Sequence, residues 1–494
     1  MKWRVTENNK PLRIYEIPVI PLPELREEII SQCKSGKRVL SFFGIEKGKS
    51  DIQIFTVLAD DPESMLYISS AIAGDGESYE SITPAIPAFD LFEREFYEDT
   101  GKRHSIVPLN HPWLKPVRKN IDDYNFFSMS GEEIHEVAVG PIHAGVIEPG
   151  HFRFMCSGEK VHHLEIALGY QHRGIENIFL QENILNKITL AESISGDSSI
   201  GHSTAYLNAV ESLGNIEIPE KAQIIRAIAL ELERIANHIG DLSALANDVA
   251  YQIGYAVYGA RRTLIINSSQ LICGNRFGRG LMRPGGVNFD INSKQRETIK
   301  KTLKKVYADL TQMSEVMFAD PSVRSRFEMT GVLDNKKAVC INLVGPAARA
   351  SGIIRDIRAN HPFGIYGKYK IEINSYDTGD VFARAMIRYS EIRNSINYIL
   401  KLFALLDDGI SITDYQDSLK IAENSIIVSL VEGWRGEIAH IVLTDKNGKI
   451  LRYKIKDPSF NNWLGLALAV RHNGVSDFPL CNKSFNLSYC GFDL

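Results

Sequence analysis

Cysteines have the widest chemical range of the side chains in this sequence, because thiolates bind soft metals and form disulfides. No two of the six cysteines are spaced as a CxxC pair; they are Cys33, Cys156, Cys273, Cys340, Cys481 and Cys490. So few thiols in 494 residues do not form a disulfide framework, which favours a reducing compartment. Cys481 and Cys490 lack a companion pair, so we interpret them as free buried thiols and not as metal ligands.

The overall composition is typical of a globular protein with room for a large core. A prior of about 150 residues per domain predicts two to four domains. The net charge of −4 gives no reason to expect nucleic acid as a partner. The first residues contain no apolar h-region, so we expect no signal peptide, and the longest apolar runs are shorter than the about 20 residues that span a bilayer. Any work at a membrane would therefore depend on partner subunits.

Short strands and prolines characterise the first part of the sequence. Apolar runs at 39–45 and 52–58 flank a polar turn, which predicts a hairpin. Five prolines then interrupt residues 84–116. Residues 120–135 are polar and irregular, and we place a domain boundary there. The glycines between 278 and 286 form no GxGxxG motif after a strand, so we expect no nucleotide site.

The second part is predicted to be mostly helical, with sheet at its start and near its end. Residues 151–156 and 161–168 predict a hairpin with Phe152, Phe154 and Cys156 on one face. Asn447-Gly448 is a strong turn signal for a second hairpin. Apolar residues three and four apart between 225–242 and 392–406 predict core helices of a bundle. The fold class we expect is α+β: a small mixed domain at 1–125, and a large, mostly helical domain with peripheral antiparallel sheet at 136–494.

Several segments of the second part resemble, in order, the large-subunit family that nickel–iron hydrogenases share with the quinone-site subunit of respiratory complex I. They are Gly140-Pro141-Ile142-His143 with residues 148–153, the HRGxE motif at 172–176, the helix at 231–239, Arg283-Pro284-Gly285-Gly286-Val287, and the segments 345–352 and 379–384. The first part resembles the small α+β subunit that neighbours the large one in complex I, carried by residues 92–99 and 111–116. The two are fused here, as in the large subunit of formate hydrogenlyase, which favours the group 4 hydrogenase branch.

The sequence departs from the hydrogenases at the metal ligands. A nickel–iron centre needs four thiolates from two CxxC pairs, because soft sulfur ligands hold these metals. Ser195 and Ser198 occupy the positions of the first pair, and Ser488 and Gly491 those of the second, with Cys490 one place away. A serine hydroxyl is not deprotonated at neutral pH and is a poor ligand. We therefore predict that this chain binds no metal and performs no hydrogen chemistry.

The resemblance also implies roles for two histidines. In complex I a histidine on the opening hairpin faces the quinone head group, and His143 would take that place as a proton donor, since imidazole titrates near neutral pH. The alternative is a structural histidine in a turn. His172 is the second candidate. The tyrosine of the quinone site should lie near residues 193–199, where this sequence has none, and Tyr206 is the nearest. This absence argues against ordinary quinone reduction.

Asp197, with Ser195 and Ser198, would line the position of the lost metal cluster, and Ser488 would complete that cavity. These side chains would form a polar cavity for another substrate or a proton path. The alternative that we favour is a vestigial site filled by hydrogen bonds.

Glu176 and two arginines are the remaining site candidates. Glu176, in the HRGxE motif, would be either a proton relay or a buried carboxylate paired with Arg173. Arg349 would orient carboxylates in the cavity or pair with acids as part of the structure. Asp457, in a loop that resembles a family loop before the last helix, is interpreted as structural.

The function we expect is that of a large subunit in a complex I-like or hydrogenase-related oxidoreductase complex. An iron–sulfur cluster in a small partner subunit would supply electrons, and antiporter-like and anchor subunits would lie in the membrane. Electron arrival would drive a change near His143, Asp197 and Glu176, coupled to quinone or other acceptor reduction or to ion translocation. The alternatives are an assembly scaffold without redox chemistry and, against the serine positions, a true hydrogenase. The expected location is cytoplasmic, peripheral on the inner face of the cell membrane.

Overall fold

The structure is a computed structural model that describes residues 2–48, 50–74, 78–102, 126–145, 147–181, 187–407, 409–413 and 420–494. The segment 111–116 used above lies outside the described residues. The fold is α+β, as expected. The strands are β1 (Arg4–Thr6), β2 (Leu12–Arg13), β3 (Arg38–Lys47), β4 (Asp51–Asp60), β5 (Met65–Ala73), β6 (Ile134–Val139), β7 (His151–Ser157), β8 (Lys160–Ala167), β9 (Met282–Arg283), β10 (Gly286–Val287), β11 (Ser425–Gly433), β12 (Gly436–Thr444) and β13 (Ile450–Lys456).

The helices include long bundle helices and short connecting ones. They are α1 (Leu22–Lys34), α2 (Asp90–Thr100), α3 (Ile175–Phe179), α4 (Ile188–Ala191), α5 (Ser199–Leu213), α6 (Glu220–Asp248), α7 (Gln252–Cys273), α8 (Ser293–Ala319), α9 (Pro321–Phe327), α10 (Asn335–Cys340), α11 (Gly345–Ala350), α12 (Ile357–Asn360), α13 (Val381–Leu405), α14 (Pro458–Ala469), α15 (Phe478–Phe485) and α16 (Tyr489–Asp493). In the part of the chain that the structure describes, none of them combines the length and apolarity that crossing a membrane requires.

The first part of the chain is an antiparallel sheet in the order β1-β5-β4-β3, with α1 and α2 packed against it. The predicted hairpin is β3 and β4, paired from Arg38 with Ala59 to Lys47 with Asp51. Its core contains Phe42, Phe89 and Phe96, which meet edge to face. Such aromatic contacts add to the burial of apolar area and stabilise this part as a unit.

The second part contains two larger antiparallel sheets, the two-stranded sheet β9–β10 and a helical bundle. The predicted hairpins are β7–β8, beside β6, and β12–β13, beside β11. Phe152, Phe154 and Cys156 share a buried face, as predicted. The short strand β2, from the first part of the chain, extends the β13-β12-β11 sheet by pairing Leu12 with Ile426.

The longest helix, α6, lies at the centre of the bundle, packed against α7 and α13. Its predicted apolar stripe is buried, but so are polar residues that lie off that stripe. Arg226 forms two hydrogen bonds to Glu211, and Arg234 donates to Glu231. Because other elements cover the middle of α6, Arg226 and Arg234 are paired and hydrogen-bonded inside the protein.

Candidate functional site

The serines at the predicted metal-ligand positions lie together just before the N-terminal end of α5. We call Ser195, Ser198 and Ser488, with the groups that contact them, the serine cluster. The Ser195 and Ser488 hydroxyl oxygens lie 3.0 Å apart, and both residues are buried. The Gly491 amide donates to Ser488 Oγ at 2.9 Å, and Cys490 Sγ is 3.5 Å from the same oxygen. Loop 193–198 and the segment from 488 to 491 are thus in contact, as the proposed alignment of the two ligand pairs requires.

A carboxylate–guanidinium pair is part of the same cluster. Arg435, in the turn between β11 and β12, donates to both carboxylate oxygens of Asp197 at 2.6 and 2.7 Å. It also donates to Ser198 Oγ and to the Asn486 carbonyl, and it lies over the Trp434 ring. Burial opposes ionisation of Asp197, but the Arg435 guanidinium holds its pKa below the usual value. About a third of the Asp197 side chain is exposed, whereas the Arg435 side chain is buried.

The loop between β6 and β7 brings His143 and Glu148 to this region. His143 Nε2 donates to the Gly150 carbonyl at 2.8 Å, while a Cβ on Gly150 would lie 2.8 Å from the Tyr489 ring. The Tyr489 amide donates to a Glu148 carboxylate oxygen at 3.3 Å. Burial raises the pKa of Glu148 above its usual value.

The HRGxE motif contacts the opposite side of the C-terminal segment. His172 Nδ1 donates to the Asp493 carbonyl at 2.7 Å. Arg173 donates to the carbonyls of Ser193 and Ile194, both at 2.8 Å, and so fixes the loop that carries Ser195. The Asp493 carboxylate accepts from two amides of loop 169–171, and burial raises its pKa to about 7.

Glu176 lies away from the serine cluster, between the two parts of the chain. Its carboxylate accepts from Lys454 Nζ at 2.8 Å, from Arg452 at 3.2 Å and from the Ile455 amide. Lys454 also donates to Glu95 of α2 at 2.6 Å. Pairing of Glu176 with Arg173 was one of the two alternatives above. In the structure Glu176 instead contacts these groups, and Arg173 donates to backbone carbonyls.

Arg349 belongs to a separate ion network inside the bundle. Its guanidinium donates to Glu391 at 2.9 Å and to Glu432 at 2.8 Å, and 1% of its side chain is exposed. The Glu391 and Glu432 charges, which outweigh the cost of burial, raise the pKa of Arg349. Of the two arrangements considered from the sequence, the structure therefore contains the pairing with acids, and Arg349 is not a member of the serine cluster.

The sequence reasoning missed Arg435 and the acids Glu148 and Asp493. Arg435 is 238 residues from Asp197, and only the chain reversal at Trp434-Arg435-Gly436 indicates its place. Gly436 is at φ +130°, and a Cβ there would meet the Gly345 backbone at 2.7 Å. That close approach fixes the turn, and with it the guanidinium.

The donor set of the cluster does not fit a nickel–iron centre. It offers hydroxyls, carboxylates and a guanidinium, with Cys490 as the nearby thiol, whereas soft metals need thiolates. Burial also raises the pKa of Cys490, which disfavours its thiolate. Among the described residues, the carboxylates of Glu95, Asp99 and Glu176 have a spacing that could hold a metal, but Lys454 and Arg452 lie on them. The side chains of the site are therefore hydrogen-bond donors and acceptors, not soft metal ligands.

Comparison with known proteins gives matches along the chain. A family model described as "Respiratory-chain NADH dehydrogenase, 49 Kd subunit" matches residues 248–426. Formate hydrogenlyase subunit 5 of Escherichia coli (strain K12) is 29% identical over 502 positions, which cover 95% of this chain and 86% of that protein. Membrane-bound hydrogenase subunit alpha of Pyrococcus furiosus is 30% identical, covering 71% of this chain and 85% of that protein. An NADH-quinone oxidoreductase subunit of Clostridium beijerinckii is 28% identical, covering 63% and 83%.

The extent of these matches differs between relatives. The match to formate hydrogenlyase subunit 5 covers 95% of this chain, so it includes most of residues 1–125. The similarity to that protein therefore extends over both parts of the sequence, in agreement with the resemblance to a fused large subunit.

Proposed function

Because the chain belongs to the group 4 hydrogenase and complex I-like large-subunit family, we propose that it is the large subunit of a membrane-associated oxidoreductase complex that works without a nickel–iron centre. The contact of Ser195 with Ser488 carries this proposal. In this proposal the two segments in contact correspond to the two halves of the ligand set, with hydroxyls where the hydrogenases need thiolates. Serine oxygens are hard ligands that stay protonated at neutral pH, so they do not replace the missing sulfur.

In this proposal, the groups that remain at the serine cluster bind protons and carry charge. Asp197 and Arg435 form a charged pair at the cluster, and Glu148 has a pKa raised by burial. A small partner subunit would hold an iron–sulfur cluster, which would supply electrons near the serine cluster. Negative charge there would favour proton uptake by nearby carboxyl groups and would weaken the hold of Arg435 on Asp197. His143 is placed by its bond to Gly150 on the loop that also carries Glu148.

The proposed location is the inner face of the cell membrane, on antiporter-like and anchor subunits. Two relatives support a complex of this kind through their names, which describe a membrane-bound hydrogenase and an NADH-quinone oxidoreductase. The electron acceptor in this proposal is a quinone or another small molecule. Conformational coupling to ion translocation would use Lys454, which donates both to Glu176 and to Glu95 and so joins the two parts of the chain.

Two alternative functions predict different behaviour of the site. If the chain reduces a quinone or similar acceptor directly, His143→Gln should slow turnover and an acceptor should bind in the cavity. If it is an assembly scaffold without redox chemistry, His143→Gln and Asp197→Asn complexes should assemble and work normally. A true hydrogenase requires one nickel atom per chain.

Elemental analysis of the purified complex, with the stoichiometry of this chain known, tests the proposal. The expected result is iron in multiples of iron–sulfur clusters and no nickel. Nickel at one atom per chain would refute it. The Ser198→Ala complex is the matched control, because removal of one hydroxyl should leave both metal contents unchanged.

A further inference from the structure

A cleft of about 300 Å³ lies between the C-terminal half of α5, the N-terminal part of α6 and residues 363–366. Its α5 wall includes Thr204, Asn208 and Glu211, which share one face of the helix because they are spaced by four and three residues. Asn208 is about 15 Å along α5 from Ser198, so the cleft is separate from the serine cluster. Its volume is at the lower end of the range for small-molecule sites, which is about 300–1,000 Å³.

Two amide side chains in the cleft have polar atoms that the surrounding side chains do not satisfy. Asn9 Oδ1 and Asn208 Nδ2 are both buried, and neither has a hydrogen-bond partner in the part of the chain that the structure describes. Buried polar atoms in folded proteins are nearly always hydrogen-bonded. The carbonyl oxygen accepts a hydrogen bond and the amino group donates one. A single ligand that satisfies both must therefore carry a donor and an acceptor.

The backbone holds both amides in place. Asn9 is in the left-handed region at φ +61°, and its backbone amide donates to the Val428 carbonyl at 3.0 Å. The neighbouring Asn8 side chain bonds to the carbonyl and the amide of Leu430, at 3.0 and 2.8 Å. Asn208 lies inside α5, which packs against β11. Because little backbone freedom is left to lose on binding, the two amides are preorganised for a ligand.

The charged groups in the cleft are paired with each other. Among the described residues that line it, the charged ones are Glu211 and Arg226. Arg226 donates to both Glu211 carboxylate oxygens at 2.9 and 2.7 Å, and also to the Arg283 and Gly286 carbonyls. The Gly285 amide donates to Glu211 at 3.0 Å. An ion that entered the cleft would lose its water without gaining a free counter-charge, so the cleft favours an uncharged ligand.

Another part of the wall is apolar and aromatic. Ile218, Leu230 and Phe363 contribute to it. The Phe363 ring lies beside the Tyr366 ring, with ring centres 5.0 Å apart. Tyr366 lines the cleft with its ring, because its hydroxyl donates to Glu231 at 2.5 Å. A ligand with an apolar body and one polar edge therefore matches the distribution of polar and apolar groups in the cleft.

We propose that this cleft binds a small uncharged molecule with an amide edge on an apolar body. The N–H of that edge donates to Asn9 Oδ1, and its carbonyl oxygen accepts from Asn208 Nδ2. A primary amide or a ring lactam is the simplest neutral group that combines this donor and this acceptor. Binding involves no covalent or redox step. Because the serine cluster uses none of these side chains, the proposal does not depend on the proposed function.

Benzamide, benzoate and benzamidinium test the proposal, because at neutral pH they share one shape and differ in charge. Calorimetry of the full chain with each probe measures the affinity, and side-chain amide NMR with ¹⁵N-labelled asparagine locates the bound probe. We expect neutral benzamide to bind about ten-fold more tightly than either ion and to shift the Asn9 and Asn208 signals. Equal binding of the three probes, or Asn9 and Asn208 signals that no probe shifts, would overturn the proposal.

Substitution of Asn208 should change the charge that the cleft selects. Asn208→Asp replaces the amide by a carboxylate of the same shape, so benzamidinium should then bind about ten-fold more tightly than benzamide. The same substitution also assigns the Asn208 signal. Asn247 on α6 is exposed and lies outside the cleft, so Asn247→Asp is the matched control and should keep the wild-type preference. A preference for benzamide that persists in Asn208→Asp would contradict the proposal.

Asn9→Gly tests the second contact. It removes the carbonyl oxygen, and glycine adopts φ +61° without strain, so the fold of this segment is retained. The affinity for benzamide should fall about five-fold, because one hydrogen bond is lost. If Asn208→Asp does not fold, an unchanged affinity in Asn9→Gly refutes the site. Because these measurements need no turnover and no metal, they are independent of the outcome of the nickel analysis.

Discussion

The hydroxyl oxygens of Ser195 and Ser488 lie 3.0 Å apart although 293 residues separate them in the chain. This contact joins the loop before α5 to the C-terminal segment. Under the proposed function, these are the positions at which a hydrogenase would hold its metal. The geometry of the contact can be tested without any knowledge of the reaction.

Ser195→Cys with Ser488→Cys should form a disulfide on mild oxidation, because the two hydroxyl oxygens lie 3.0 Å apart and sulfurs in their places would be close enough to bond after a small adjustment. The experiment belongs in a Cys490→Ser background, since Cys490 Sγ lies 3.5 Å from Ser488 Oγ and would compete. Mass spectrometry of the linked peptides measures the bond. Ser195→Cys alone should give none, and failure of the double variant to crosslink would contradict the contact.

The local elements were predictable from the sequence, whereas the site was predictable only in part. Alternation and turn residues indicate the β3–β4, β7–β8 and β12–β13 hairpins, and the apolar stripe indicates α6, because these signals are local. The positions of Ser195 and Ser488 followed from the resemblance. Arg435 did not, because no local pattern links it to Asp197, 238 residues away.

Burial of charged residues was the other feature that periodicity could not supply. Arg226, Glu231 and Arg234 lie off the apolar stripe of α6, which normally indicates a solvated face. In this bundle other elements cover that face, and partners from distant parts of the chain satisfy each charge. The pairing of β2 with β11 could likewise not be predicted from the sequence, because a strand of two residues is too short to show an alternating pattern.

Asp197→Asn should lower the free energy of unfolding by about 1–2 kcal/mol, because two charge-assisted hydrogen bonds to buried Arg435 are weakened at a partly exposed site. Urea unfolding followed by circular dichroism measures the change. Glu220→Gln breaks the exposed pair with Lys368 and should resemble wild type. Equal effects of the two substitutions would mean that Asp197 and Arg435 are not coupled in the folded chain.

Gly491→Ala should destabilise the chain by about 1–3 kcal/mol, because the added methyl group meets both Asp457 Cγ and Ser488 Oγ closer than van der Waals contact. Thermal unfolding monitors the effect. Gly367→Ala is the control, since a Cβ there meets nothing within 4 Å. A wild-type melting curve for Gly491→Ala would show that Asp457 and the serine cluster are further apart than described.

The stability of the chain should fall as the pH rises from about 5 to about 8, in part because of Glu233. Its carboxyl accepts from the Ile200 and Gly201 amides beside a small cavity, and burial raises its pKa from 4.5 to about 8. Above pH 4.5 the folded chain thus keeps a proton on Glu233 that the unfolded chain has released. The free energy of unfolding therefore falls as the pH rises, until Glu233 also ionises in the folded chain. Glu233→Gln should flatten the melting temperature between about pH 5 and about pH 8. Exposed Glu217→Gln should keep the wild-type profile; an unchanged slope in Glu233→Gln would assign the dependence to other groups.

Lys454→Met should destabilise the chain by about 3–5 kcal/mol, because Lys454 lies between the carboxylates of Glu95 and Glu176 and all three side chains are nearly fully buried. Without the ammonium, two acids from the two parts of the chain repel each other across their contact. Adding Glu95→Gln to Lys454→Met should recover part of the loss, since one of those charges is then removed. Urea unfolding of both variants measures the free energies, with the exposed Lys337→Met as a control that should match wild type. No recovery in the double variant would mean that repulsion between Glu95 and Glu176 is not what Lys454 offsets.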